Sequence, residues 1–206
     1  MKTLLNYVGQ LRIYSLVDLI ILLVAIKISI LESIGIICLH VGFLAYLESN
    51  HDHYGRKIIP AWIWVFFIII GTFFYFHLEV IFFLVCSYLY TRKNHGNWAM
   101  YSPLFRGLQV SFLISGVIGY TRLSLIVFLV MFIRNTIGDC RDVEKDYREN
   151  MKTTPIIIGL RKNFKHGHLL AIVMSSLIWW QYTNISLSIL FLCIFVEIIT
   201  YNLTPR

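Results

Sequence analysis

Apolar residues run along this chain in eight blocks separated by short polar breaks, at roughly 15–31, 34–47, 59–76, 78–91, 103–119, 123–138, 168–182 and 185–203. The blocks recur from one end to the other, with no soluble domain, linker or low-complexity tract between them. Read as membrane-crossing helices, several fall short of the ~20 residues that span a bilayer unaided. Those must stand nearly upright, recruit polar flanks or sit in thinned lipid. The pattern therefore predicts an all-α fold: a polytopic membrane helical bundle of about eight transmembrane helices around a central cavity. Residues 1–206 are expected to form one membrane-embedded domain.

Composition agrees with that pattern. The chain is 58% hydrophobic and only 14% charged over 206 residues, against about 25% charged in an ordinary soluble domain. A single cleavable signal peptide does not explain apolar segments along the whole length. The net charge of +7 is then read by location, as membrane orientation rather than nucleic-acid binding. With the N-terminus inside, sixteen of the eighteen Lys and Arg lie in the N-terminal segment, the loops 48–58, 92–102 and 139–167, the inner helix ends or the tail. Lys27 and Arg122 remain for the outer half. The predicted location is an integral multi-pass membrane protein whose acidic loops and N-terminus face the cytoplasm.

The sixth block leads into "RNTIGDCRDVEKDYRENMKTTPIIIG", Arg134 to Gly159. Asp139, Asp142, Asp146 and Glu149 advance by three, four and three residues, which on one helix places them within a sector of about 80°. One reading is a solvated face, with Arg141, Lys145, Arg148 and Lys152 as a neighbouring basic stripe. The position at the end of a span favours a functional one, because ionisable groups at membrane depth are costly. Carboxylates at this spacing suit a partly hydrated divalent cation. Mg²⁺ takes one or two protein carboxylates, several waters and phosphate oxygens, and adjacent Lys and Arg take the remaining phosphate charge. The stripe reads as a Mg²⁺–diphosphate clamp for an amphiphile with an apolar tail. Arg134, about one turn before Asp139, stands close enough to pair with the stripe or with a substrate anion.

Here "GDCRDVEKDYRENMKTTPIIIG" resembles the second Asp-rich motif of the UbiA superfamily of intramembrane prenyltransferases. That motif runs Asp-x2-Asp-x3-Asp, then a Gly, then Thr-Leu-Pro and a Gly four residues after the proline. Asp139, Asp142, Asp146, Thr153, Pro155 and Gly159 match it, while Asn150 replaces the first glycine and Thr154 the leucine. "YSPLFRG" resembles the family's Tyr-x3-Lys-Arg stretch, with Phe105 at the lysine. The first motif, Asn-Asp-x2-Asp-x3-Asp, corresponds to "LESNHDHYGRKIIP". Anchored on Asp52, it has Glu48 at the asparagine, Ser49 at the first aspartate and Arg56 at the last.

The resemblance implies Mg²⁺ as cofactor, with Asp52, Asp139, Asp142 and Asp146 as catalytic metal ligands. It implies Glu48, Asn50, Arg56, Lys57, Arg106, Arg134, Lys145 and Lys152 around the substrate. The partners would be an isoprenyl diphosphate and a lipophilic acceptor, such as an aromatic ring, a haem vinyl, a chlorin or a glycerol-phosphate alcohol. The alternative is a non-catalytic relative that binds a polyprenyl lipid or a partner through an altered first motif. A CDP-alcohol phosphotransferase would require Asp-x2-Asp-Gly-x2-Ala-Arg. Val143 stands at that glycine and no Ala-Arg follows.

Other features receive plainer readings. His51 and His53 share a face in an extended segment but lack an identifiable third zinc ligand, and His166 and His168 are read likewise. Cys38, Cys86, Cys140 and Cys193 form no CxxC pair and read as packing residues. "AWIWVFFIIIGTFFYFH" and "IWWQY" read as lipid-facing and interfacial aromatics. Of the other charges in apolar blocks, Asp18, Lys27, Glu32, Glu79, Arg122 and Glu197, most sit near a block end, where snorkelling or a shifted block boundary accounts for them.

Overall fold

Each of the eight apolar blocks contains helix. A computed structural model describes residues 12–50, 59–94 and 96–203, with the side chains at 94, 96, 97 and 165 left aside. Among them the chain is all-helical and without strands. The helices are α1 (Ile13–Ala25), α2 (Ile30–Ser49), α3 (Ala61–Phe74), α4 (Glu79–Thr91), α5 (Ser102–Ile118), α6 (Arg122–Arg141), α7 (Val143–Arg148), α8 (Thr154–Ile157), α9 (Lys165–Trp180) and α10 (Leu187–Leu203). Helices α2 and α6, each of 20 residues, are long and apolar enough to cross a membrane, while α1, α3, α4, α9 and α10 are shorter apolar helices.

Local chemistry sets the boundaries. The first block, expected to run to residue 31, breaks after Ala25 because Lys27 takes a left-handed conformation (φ 53°). Ser29 then caps α2, its hydroxyl oxygen accepting from the Glu32 N–H at 3.3 Å and its O–H donating to Glu32 Oε2 at 2.6 Å. Glu32 is thus a capping partner at a helix start, where a carboxylate is favoured by the helix dipole.

The chain divides into two compact units, residues 1–76 with 172–206, and residues 77–171. In the first unit, α2 and α3 approach closely through small residues. A Cβ on Gly71 would stand 2.7 Å from Leu39 Cγ and 2.8 Å from its backbone nitrogen, and one on Gly35 would stand 2.6 Å from Tyr75 Cβ. Such contact lets two backbones pack where larger side chains would hold them apart. Helix α1 lies along α10, with Tyr14 and Tyr201 edge to face at 5.5 Å.

The core of this unit also holds the two acids expected at span ends. Asp18 is 1% and Glu197 0% exposed. Asp18 Oδ1 accepts from Ser175 Oγ at 2.9 Å and from Trp179 Nε1 at 3.0 Å, while Ser176 Oγ lies 2.8 and 2.9 Å from the two Glu197 oxygens. Snorkelling does not describe them: both turn inward, where hydroxyl and indole groups offset their desolvation.

In the second unit α4 packs on α5 and α5 on α6. The Arg106 guanidinium donates to Gln109 Oε1, Gln109 Nε2 donates to Ser87 Oγ at 2.5 Å, and the Ser87 hydroxyl donates to the Phe83 carbonyl at 2.7 Å. All three side chains are buried, and the chain of donors fixes the orientation of the Gln109 amide.

Candidate functional site

The acid-rich segment begins at the C-terminal end of α6 and does not continue it as one helix. Asp142 has φ −105° and ψ 12°, and its N–H bonds back three residues to the Asp139 carbonyl at 3.2 Å. Helix α7 starts at the next residue. The Arg141 guanidinium grips the Asp142 carboxylate, with Nε at 2.8 Å from Oδ1 and Nη2 on Oδ2. Adjacent side chains on a regular helix diverge by about 100°, so this pairing belongs with the break. The predicted single stripe is therefore divided. Asp139 and Asp146 are buried, Asp142 is held by Arg141, and Glu149 is exposed with Lys145 Nζ at 4.0 Å.

What faces Asp139 comes from two other parts of the unit. Helix α4 ends in a 3₁₀ turn, Arg92–Asn94, which carries Lys93. Lys93 Nζ lies 3.7 Å from Asp139 Oδ1, with the lysine side chain only 13% exposed. Ser102, the first residue of α5, donates its hydroxyl to Asp139 Oδ2 at 3.3 Å. Asp146 is 1% exposed, and its Oδ2 has no hydrogen-bond partner.

The electrostatics follow from this arrangement. Burial acts to lower the Lys93 pKa, but the charges of Asp139, Asp146 and Asp142 outweigh it and hold the ammonium above its usual value. Burial acts to raise Asp142, but the Arg141 hydrogen bonds and charge, helped by Lys93 and Lys145, bring it well below the usual carboxylate range. Burial holds Asp146 raised despite the opposing charge of Lys93.

The segment after α7 folds back. Asn150 takes the left-handed conformation (φ 55°) that asparagine and glycine adopt most readily. Met151 N–H then bonds to the Asp146 carbonyl at 2.9 Å. Thr153, fully buried, precedes α8, Pro155 sits in its first turn, and Gly159 (φ 90°) follows its end. Two contacts close the excursion. The Glu144 N–H donates to Asn163 Oδ1 at 2.9 Å while the Asn163 N–H donates to Glu144 Oε1 at 3.4 Å, and the Phe164 N–H donates to the Cys140 carbonyl at 2.8 Å.

Of the other expected site residues, Arg106 and Arg134 are buried in the second unit and Lys152 is exposed. Glu48 and Asn50 belong to the first unit. Glu48 is buried and accepts from Arg12 Nη2 at 3.4 Å, whereas Asn50 is exposed and donates from Nδ2 to the Tyr46 carbonyl at 2.8 Å, closing α2. Asp52, Arg56, Lys57, His51 and His53 lie outside the described residues. Sequence reasoning misses Lys93 and Ser102 as partners of Asp139 and Arg141 as the partner of Asp142. Ser102 lies inside the quoted "YSPLFRG", and Lys93 enters the sequence reading only as one of the inner charges.

A divalent cation can be tested against these residues. The donors are right in kind: hard carboxylate oxygens, one of them the unpartnered buried Oδ2 of Asp146. They are not set as a cage, since among the described residues no three His, Cys, Asp or Glu stand together as a metal group. Lys93 supplies positive charge where such an ion would supply it. The four cysteines form no disulfide, and His168 packs so closely on Gly138 that a Cβ there would meet the imidazole at 3.2 Å. Compared with family models, curated proteins and solved structures, the chain matches none.

Proposed function

We propose that this chain is an integral-membrane, Mg²⁺-dependent prenyltransferase that moves an isoprenyl group from a prenyl diphosphate to an aromatic or other lipophilic acceptor. The observation that carries the reading is the buried pair Asp139 and Asp146, beside a helix break, at the end of a helix apolar enough to span a bilayer. Nothing in a water-soluble surface helix requires two desolvated carboxylates there. The membrane setting is supported by the outward faces of the helices. On α3, Trp62, Phe66, Ile69 and Phe73 form an exposed stripe, and on α6 Leu125, Leu129 and Ile133 form another, opposite the buried Val127, Met131 and Arg134. Large exposed apolar stripes opposite buried charge invert the pattern of a soluble helix. The multi-pass topology, with the acidic segments on the cytoplasmic side, rests on the sixteen-to-two distribution of Lys and Arg.

In this reading Asp139, Asp142 and Asp146 hold the cation, and Asp52 is the further ligand that the resemblance implies. Mg²⁺, when bound, supplies charge that stabilises the departing diphosphate. Lys145, Lys152, Arg106 and Arg134 supply cationic donors for phosphate oxygens, and Arg56, Lys57, Glu48 and Asn50 are the residues that the resemblance implies from the first motif. The apolar helices exclude water around the prenyl chain. As the allylic C–O bond breaks, the electron pair leaves with diphosphate and the acceptor's nucleophilic atom bonds to the allylic carbon, losing a proton.

The experiment incubates purified protein with radiolabelled prenyl diphosphates, a lipid extract and Mg²⁺, and identifies the products. Labelled lipid and released diphosphate, both abolished by EDTA, are expected. A second reading, a non-catalytic prenyl-lipid or partner-binding protein, is favoured by Glu48 being engaged with Arg12 and by the lack of a preset metal group among the described residues. It predicts binding of prenyl lipid without diphosphate release.

A further inference from the structure

The acid cluster contains its own cation. Arg141 answers Asp142, and the Lys93 ammonium stands against the two buried carboxylates of Asp139 and Asp146, with the charge of Lys145 acting more weakly on Asp146. Lys93 is not an incidental surface charge: the turn that ends α4 delivers it, its side chain is largely buried, and its nitrogen lies 3.7 Å from Asp139 Oδ1. The Asp146 Oδ2, buried without a hydrogen-bond donor, shows that the cluster retains unused oxygen-ligand capacity. A divalent ion entering beside these oxygens would meet the Lys93 ammonium at close range in a poorly hydrated setting, where repulsion between like charges is strong. An anionic ligand alters that situation by offering Lys93 another partner.

We propose that Lys93 is the resident counter-ion of the Asp139–Asp146 cluster, that it keeps the affinity for a free divalent cation low, and that metal enters together with a phosphate-bearing ligand that draws Lys93 away. The inference rests on the diphosphate site proposed above, and it adds an order of events. Metal alone is excluded, diphosphate satisfies Lys93, and the released carboxylates accept the ion. The cluster thereby avoids filling with metal when no substrate is present.

Titration of the full chain in detergent micelles with Mn²⁺, reading the free-ion electron paramagnetic resonance signal in phosphate-free buffer, tests this directly. Wild type is expected to bind weakly. Lys93→Met and Lys93→Gln are expected to bind one Mn²⁺ at least about tenfold more tightly, since removing one charge beside a dication is a large local change. Lys93→Arg should behave as wild type, and Asp139→Asn added to Lys93→Met should cancel the gain. Thermal unfolding identifies which neutral variant is folded, and either one suffices. Unchanged Mn²⁺ affinity in the folded neutral variants, or a gain that survives Asp139→Asn, overturns the proposal. The outcome is separable from the enzyme reading. Tighter Mn²⁺ binding without prenyl transfer by wild type retains the counter-ion and removes the reaction, whereas prenyl transfer with unchanged affinity does the reverse.

Discussion

The indole N–H of Trp179 donates to Asp18 Oδ1 across 3.0 Å, inside a core where both residues are buried. A tryptophan and an aspartate from opposite ends of the sequence thus join α9 to α1. Ser175 on the same helix donates to the same oxygen at 2.9 Å, so α9 supplies two donors to one carboxyl oxygen.

Trp179→Phe keeps most of the ring volume and removes the donor. The variant should lose about 1–3 kcal/mol of stability, the range for a buried acceptor deprived of a partner. Thermal or denaturant unfolding in micelles reads the change. No loss would mean that another group replaces the indole.

The acids of the interrupted stripe are expected to separate in activity. Asp139→Asn and Asp146→Asn should each lower prenyl transfer by about a hundredfold or more, as expected when a group acting on the leaving charge is removed. Glu149→Gln should leave it within a few-fold, because Glu149 is exposed and its ion partner is the nearby Lys145. Equal loss in all three would restore the undivided stripe as the functional unit.

Asp142 makes the protein acid-sensitive with a defined sign. Its pKa is held below the usual carboxylate value by Arg141, so the folded state binds this proton less readily than the unfolded state. The stabilisation is complete above the unfolded value, about 3.9, and is lost as pH falls through the lower folded value. Asp142→Asn should therefore flatten the dependence of melting temperature on pH below about 4. An unchanged acid limb would show that the Arg141 pairing does not govern it.

Gly71→Ala tests the contact of α2 with α3. The added Cβ would stand 2.7–2.9 Å from the side chain and backbone of Leu39 and the Gly35 carbonyl, and backbone cannot yield as a flexible side-chain tip does. A loss of about 1–3 kcal/mol is expected from overpacking. Unfolding of the variant measures it, and a neutral result would show that the helices separate at little cost.

The helices are legible in the sequence because long apolar runs determine where helices form, and each block contains one. Their ends are less so. "IKISI" reads as apolar, yet the left-handed Lys27 and the Ser29 cap divide it. In the acid segment the spacing of Asp139, Asp142 and Asp146 is visible, but the break is not. It goes with an ion pair between neighbours, which spacing on an ideal helix cannot reveal. Lys93 is hidden for another reason: only the fold of the second unit brings the end of α4 to the end of α6. The inward turn of Asp18 and Glu197 likewise depends on tertiary partners, Ser175, Ser176 and Trp179, far from Asp18 in sequence.

The reciprocal bonds between Glu144 and Asn163, with the Phe164–Cys140 bond beside them, act as a suture across the neck of a long loop. Ile157, Ile158 and Leu160 lie exposed within the loop. A protease cut there would leave two arms held together at their bases by these hydrogen bonds, with Asp139 outside the closed segment and Asp146 just inside its neck. The loop's tip can accordingly vary in length at small entropic cost, while the acids it returns to keep their places.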